Sequence, residues 1–187
     1  MEEETTKEER GAEALALLAD LLETARRAMR IEFRLLYLSE NPAESGTKWY
    51  ALCITKDIVS MDPFDNPVGR RPTNQWDDCE LKQWLNGGYP YKFPQRVRDR
   101  LHYTDVGRKN VRIFPLPLRG AQVQFRDDAD RVARYQGEPE QWWLCEPALS
   151  DDYVMYVGRD GAIHKGGWPV RFELGVRPAF WLDLNPL

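Results

Sequence analysis

A chain of 187 residues is long enough to close a sizeable core and predicts one compact domain with one appended element. Hydrophobic residues at 42% and charged residues at 30% are globular proportions and exclude a disordered chain. A formal net charge of −4 opposes bulk attraction to nucleic acid or an anionic membrane, no apolar run reaches the roughly eighteen residues that cross a bilayer, and the opening Met1-Glu2-Glu3-Glu4 is acidic where a signal peptide is basic, so a cytoplasmic location is expected.

The first predicted element is a helix from about Thr5 to about Leu36. Thr6 with Glu9 three residues on is a capping-box start. Leu15, Leu18, Leu22, Ala25 and Met29 follow at three- and four-residue steps, and Ala14, Leu17, Leu21 and Ala28 widen the stripe. Acidic residues gather before Glu13, and Arg26, Arg27 and Arg30 sit near the C-terminal end, as the helix dipole prefers. Such a helix either packs on its own domain or docks on a partner or a second copy. Domain organisation is therefore read as an amphipathic helix over 1–32 and a larger domain over 33–187.

Breaks at Asn41-Pro42 and Ser45-Gly46 precede a strand over Trp49 to Ile54, and Asp62-Pro63 through Arg71-Pro72 is a loop with three prolines. Asp77 with Glu80 predicts a second capping box on a short helix that carries Leu81, Trp84 and Leu85 on one face and stops at Asn86-Gly87-Gly88. Pro94 opens another, carrying Val97 and Leu101. The remainder reads as strands: Val111 to Phe114, Gln141 to Leu144, Tyr153 to Val157 and Val176 to Leu184, with turns at Asp160-Gly161 and Gly166-Gly167. Helices segregated before largely antiparallel strands define an α+β fold.

Seven tryptophans imply an aromatic core or an aromatic binding face. Trp142-Trp143 reads as part of a buried strand, and Gly175-Val176-Arg177-Pro178-Ala179-Phe180-Trp181 repeats that reading with an arginine and a proline inside it. The three cysteines, Cys53, Cys79 and Cys145, form no close pair and fit reduced thiols. His102 and His164, the only histidines, have no ligand-spaced neighbour, so no metal and no cofactor are expected.

Several chemistries can be weighed on these residues. Cys145 with His164 and one of Asp151, Asp152 or Asp160 would make a nucleophile set, but a cysteine ending a buried strand is ordinarily a small apolar residue. Cys79 at a helix start could have a depressed pKa. Asp127, Asp128 and Asp130 lack the alternating pattern of a calcium hand and read as solvated loop charge. Lys92 to Arg112 carries seven basic residues against Asp99 and Asp105, interleaved with Tyr91, Phe93 and Tyr103, yet the whole-chain charge argues against nucleic acid. From Pro147 to Arg171 the mixture of aromatic, charged and small residues suits protein recognition, with Asp151, Asp152, Tyr153, Tyr156, Arg159, Asp160, His164, Lys165, Trp168 and Arg171 as candidate ligand-binding residues. Alternation puts Tyr153, Met155 and Val157 on one side of that strand and Tyr156 and Gly158 on the other, so some of these tyrosines belong to the core.

Trp49-Tyr50-Ala51-Leu52, the run from Trp76 to Asn86, Trp142-Trp143-Leu144, Val157 with Gly161, and Gly175-Val176-Arg177-Pro178-Ala179 occur in an order similar to a bacterial domain family of unknown function. That family resembles the C-type-lectin-like fold, and some of its members are variable proteins of diversity-generating retroelements. The resemblance spans about residues 33–184. It implies a static lectin-like frame whose C-terminal segment displays changeable residues to a protein or other macromolecule, with no catalytic centre. Where members commonly carry an arginine after Trp-Trp-Leu, Cys145 stands here. Glu138-Pro139-Glu140 is similar to only half of a sugar-binding calcium motif, so calcium-dependent sugar binding is not implied. Adenine-directed mutagenesis of asparagine codons would permit Cys145, Asp151, Asp152, Tyr153, Tyr156, Arg159 and His164, whereas Met155, Lys165, Trp168 and Glu173 would be fixed. The rival readings are a lectin-like oxidase using Cys79 or Cys145, and an assembly protein acting through its N-terminal helix.

Overall fold

The structure is a computed structural model that describes residues 6–41 and 48–186, without the Lys109 side chain. Thr5 and the predicted breaks from Pro42 to Gly46 lie outside the described residues. Helix α1 (Lys7–Met29) begins as its sequence dictates. The Thr6 side chain accepts from the Glu9 N–H at 3.3 Å, and the Glu9 carboxylate accepts from the Thr6 N–H at 2.7 Å.

Its end is not near Leu36. Arg30 turns left-handed at φ 57° and donates its N–H to the Arg26 carbonyl at 2.8 Å, and the chain then becomes strand β1 (Phe33–Asn41). Pairing of β1 with β2 (Lys48–Thr55) overrides whatever helical tendency remains there. The buried stripe of α1 is Ala14, Leu18, Leu21 and Ala25, two residues from each predicted line, and it joins the hydrophobic core. Leu15 is left 48% exposed. Ion pairs Lys7–Glu40 and Asp20–Arg96, each 2.6 Å, tie the helix to β1 and to the turn around Arg96.

After β3 (Ser60–Pro63) come a 3₁₀ turn (Trp76–Asp78), α2 (Glu80–Gly87), a second such turn (Tyr89–Lys92) and α3 (Gln95–Arg98). The cap of α2 is Cys79, whose sulfur accepts from the Lys82 N–H at 3.4 Å, and not Asp77. Asp77 instead accepts from the Arg108 N–H at 2.8 Å and from Lys82 Nζ at 3.3 Å. Leu81 and Leu85 are buried while Trp84 stays at the rim. The helix expected to carry Leu101 is the single turn α3, because Leu101 is drawn into β4 (Leu101–His102) against the C-terminal strand.

Two small hairpin strands, β5 (Thr104–Val106) and β6 (Lys109–Val111), precede β7 (Ile113–Phe114). The strand expected over Val111 to Phe114 is split because Asn86 Oδ1 takes the Arg112 and Ile113 N–H groups at 2.9 and 3.2 Å. Helical turns α4 (Leu118–Val123) and α5 (Asp128–Arg131) and the hairpin β8 (Ala133–Tyr135) and β9 (Glu138–Glu140) have no counterpart in the sequence reading. The chain closes with β10 (Trp142–Pro147), β11 (Tyr153–Val157), β12 (Ile163–Pro169), β13 (Glu173–Val176) and β14 (Ala179–Asp183).

These strands build two five-stranded sheets, completing the expected α+β class. One runs β1-β2-β14-β4 with β7 also on β14; the other runs β12-β11-β10-β13-β3, with β10 and β13 parallel. The strand expected over Val176 to Leu184 divides at Arg177-Pro178, where the chain leaves one sheet for the other. The link from β2 to β3 makes the reverse crossing beside it, since Thr55 N–H donates to the Pro178 carbonyl at 3.0 Å and Val59 N–H to the Val176 carbonyl at 2.9 Å.

Trp142 and Trp143 are fully buried, and alternation along β10 sends them to opposite faces. Trp142 lies against Phe125, its Nε1–H donating to the Arg131 carbonyl at 3.2 Å. Trp143 lies edge-on to Phe64, its Nε1–H donating to the Asp62 carbonyl at 2.9 Å. Both faces of the central strand are therefore covered, which is why adjacent indoles can both be core.

Candidate functional site

The segment predicted to bind is the outer hairpin of the second sheet. Strand β12 is its edge, and the interior of the sheet lies one strand inward. The hairpin is fixed at both ends. At one end Gly161, at φ 83°, closes the turn where a Cβ would come within 1.7 Å of the Asp128 carbonyl oxygen, so only glycine fits. The Gly161 carbonyl in turn accepts from Arg131 Nε at 2.9 Å. At the other end Asn74 Nδ2 donates to the Ser150 and Tyr153 carbonyls at 3.0 and 3.3 Å.

Gly166-Gly167 is not the expected turn. Both residues lie within β12, where Gly167 takes φ 80° beside the register shift between Val154 and Tyr156, as a bulge would. Asp151, Asp152, Arg159, Asp160, His164, Lys165, Trp168 and Arg171 are exposed and Tyr153 is half-buried. Tyr156 is only 8% exposed: the His164 ring stacks on it at 4.6 Å and Trp168 meets it edge-on at 6.0 Å. It lies beneath two surface rings and supports them.

The candidates do not form one cluster. Arg159 and Asp160 belong to the Gly161 end, where Arg159 grips Glu140 through two 2.8 Å bonds and holds that carboxyl below its usual range. Asp151, Asp152, Tyr153, Trp168 and Arg171 belong to the Asn74 end, where Tyr153 faces Pro169 and the Asp152 carbonyl takes the Val170 N–H at 2.9 Å. His164 and Lys165 lie between, about 10–13 Å along the strand from Trp168.

Two residues missed in the sequence share the Asn74 end: Leu149, fully exposed, and Phe172, 61% exposed. A single apolar residue in a polar run has no periodic neighbour to reveal it; only the fold brings Leu149, Trp168 and Phe172 to one end of a hairpin.

The other candidate chemistries meet buried groups. All three thiols are buried, and burial pushes Cys53 and Cys79 up to about 12 and Cys145 well above its ordinary value. Cys145 edges a cleft of about 410 Å³ with Glu146, a carboxyl that burial raises, its thiol donating to Glu146 Oε2 at 3.9 Å. None of the three cysteines has the lowered pKa that a nucleophile needs. The acidic run near Asp127 is engaged internally: Asp127 caps α5 by accepting the Asp130 N–H at 2.8 Å, and Asp130 accepts from Arg34 Nη2 at 2.7 Å. Among the described residues no group of three His, Cys, Asp or Glu side chains could hold a metal ion, and no helix is long and apolar enough to cross a membrane.

The raised thiols carry a pH dependence. A thiol whose pKa is raised on folding stabilises the fold fully below its unfolded pKa, near 9, and that stability is lost as pH rises towards the folded value of about 12. Urea unfolding is expected to give a free energy that holds from about pH 7 to about pH 8.5 and then falls by about 1.4 kcal/mol per pH unit for each thiol. A flat profile to about pH 11 would mean that the thiols are open to water.

The described residues form an α+β fold whose second sheet ends in the edge strand β12. Residues 103–184, from just before β5 to just past β14 and including the whole hairpin, match the model of a domain of unknown function (DUF6273). The match covers less than half of the chain and leaves out α1 and β1 to β4. No curated protein and no solved structure matches.

Proposed function

We propose that this chain is a non-enzymatic binding module that holds a protein ligand on the hairpin of residues 147–171, carried on a C-type-lectin-like frame. One observation carries the reading: three exposed apolar side chains, Leu149, Trp168 and Phe172, sit with Asp151, Asp152 and Arg171 at one end of a hairpin anchored at both ends. Aromatic and aliphatic anchors rimmed by charge, on backbone that need not reorganise, are what protein interfaces favour.

The rival readings draw less support. A thiol oxidase needs a reactive cysteine, and burial works against the thiolate at Cys79 and Cys145. Assembly through α1 would need its apolar stripe, and that stripe lies in the chain's own core.

Changing Trp168→Ala, Arg171→Ala and Phe172→Ser together is expected to weaken capture of a protein partner at least about tenfold. The melting temperature should stay within about 4 °C of the parent, because none of the three is buried. Undiminished capture by the folded variant places the contact elsewhere. The link to diversity-generating retroelements has its own test in the genome: a nearby near-copy of the coding segment for residues 145–164, differing at adenines, supports it, and its absence removes it.

A further inference from the structure

The stretch from Lys92 to Arg112 holds seven Lys and Arg residues against two Asp, so the rest of a chain of net −4 sums to −9. A net charge that argues against polyanions thus averages over a strongly basic flank. Arg96 is paired with Asp20, Arg100 donates to the Asp183 and Asn185 carbonyls, and the Lys109 side chain is not described. The side chains of Lys92, Arg98, Arg108 and Arg112 form no ion pair among the described residues, although the Arg108 main-chain N–H donates to Asp77.

Three of these four are held on aromatic rings. Lys92 Nζ lies 5.6 Å from the Trp84 ring centroid and 5.2 Å from that of Tyr89, the Arg98 guanidinium 5.1 Å from Tyr91, and the Arg112 guanidinium 4.4 Å from Tyr103. The rings are open to water, with Tyr91 73%, Tyr103 53% and Trp84 36% exposed. The pairs sit on consecutive elements of the chain between α2 and β7. Arg112 is tied through its N–H to Asn86 on α2, Trp84 is two residues back on that helix, Lys92 reaches over Trp84, and Tyr91 beside Lys92 carries Arg98.

A buried salt-bridge network would have used these cations internally. Here Arg98 Nη2 donates to Gln95 Oε1 and Arg112 Nη2 to the Tyr103 hydroxyl, which holds each guanidinium by its ring and leaves its other N–H groups for an anion such as phosphate. The uncovered faces and edges of the exposed rings are sequence-indifferent platforms for bases. An acidic protein would engage the cations but has no use for a series of open rings.

We infer that the flank formed by Trp84, Tyr91, Lys92, Arg98, Tyr103 and Arg112 binds single-stranded nucleic acid through its phosphates and unstacked bases. None of these six residues belongs to the 147–171 hairpin, so the two proposals are tested by different substitutions.

The test is fluorescence polarisation with a labelled oligothymidylate of about fifteen nucleotides, titrated with the full chain. Micromolar binding is expected at about 50 mM salt, weakening about 20-fold by about 200 mM if three phosphates are contacted. Tyr91→Ala with Tyr103→Ala should weaken it at least about fivefold, as loss of one stacked base would. Arg98→Ala with Arg112→Ala should weaken it and flatten the salt dependence. Because these side chains are surface groups, each variant should keep the parent's circular dichroism and melting temperature, so a loss of binding is not a loss of fold. No binding at low salt overturns the proposal. So does equal competition by polyglutamate of the same charge, or indifference to the two tyrosine changes, since either outcome describes a surface for acidic protein instead.

Discussion

Replacing Arg177 by methionine is expected to cost about 3–6 kcal/mol, a large share of the roughly 5–15 kcal/mol that holds a domain together. Arg177 is 1% exposed and its charge is answered by carbonyls: Nε donates to Thr55 at 3.0 Å, Nη1 to Arg131 at 3.2 Å and Nη2 to Lys56 at 2.9 Å. Its plane lies near Phe125 and Trp142, 5.4 and 5.0 Å from their ring centroids. Burial pulls its pKa down to about 10, which leaves it charged at neutral pH.

Methionine fills much of the same space but donates nothing. The acceptors are main chain and cannot be removed with the arginine: the Arg131 carbonyl keeps the Trp142 Nε1–H, but the Thr55 and Lys56 carbonyls lose the arginine's N–H groups, at about 1–3 kcal/mol each. Arg177→Lys should recover only part of the loss, since one ammonium on a flexible stem cannot reach three divergent carbonyls or stack as a plane. Both variants can be read by urea unfolding. A loss below about 1 kcal/mol for Arg177→Met would mean that water or other donors satisfy those carbonyls.

The same residue marks how far the sequence can be read. Gly175-Val176-Arg177-Pro178-Ala179 announces itself as a motif, and Trp142-Trp143 as a buried strand. What Arg177 does is hidden, because its partners are carbonyls 46, 121 and 122 residues away and any residue type supplies a carbonyl. The start of α1 was legible because both halves of its capping box are side chains within four residues; its end was set by pairing with a distant strand. β8 and β9 are three residues each, too short for alternation to register. At the candidate site the charged and aromatic residues were legible by type. The division into two ends was not, and neither was the burial of Tyr156, since both follow from the bulge at Gly167 and from loops that arrive from Asn74 and Arg131. The seven basic residues from Lys92 to Arg112 are visible in the sequence but masked by a whole-chain charge of −4; only the fold separates cations held on rings from those in ion pairs.

Asp65→Asn is the second change expected to have a large effect, about 3–5 kcal/mol, because two main-chain N–H groups lose a buried, charged acceptor; the Arg70 side chain itself is 41% exposed and stays solvated. Asp65 is fully buried and organises the loop between β3 and α2 by accepting four bonds: from Arg70 Nη1 and Nη2 at 2.8 and 2.7 Å, from the Thr73 N–H at 2.7 Å and from the Glu80 N–H at 3.0 Å. An amide offers one oxygen to these donors and turns its own N–H₂ towards the rest. That loop carries Phe64 and Trp76, which lie 6.1 Å apart, and Phe64 closes over Trp143. It also carries Asn74, which holds the Ser150 and Tyr153 carbonyls at the base of the displayed hairpin. The loss should therefore be local before it is global. Hydrogen exchange is expected to speed up over 65–80 and 150–154 while the amides of β2 and β14 keep their protection. Partner capture by the hairpin should weaken although none of its exposed side chains has changed, because ordering a loosened hairpin adds an entropic cost to binding. Unaltered exchange at 150–154 would mean that the hairpin is rigid by its own strand pairing and that the Asp65 loop only shields the core.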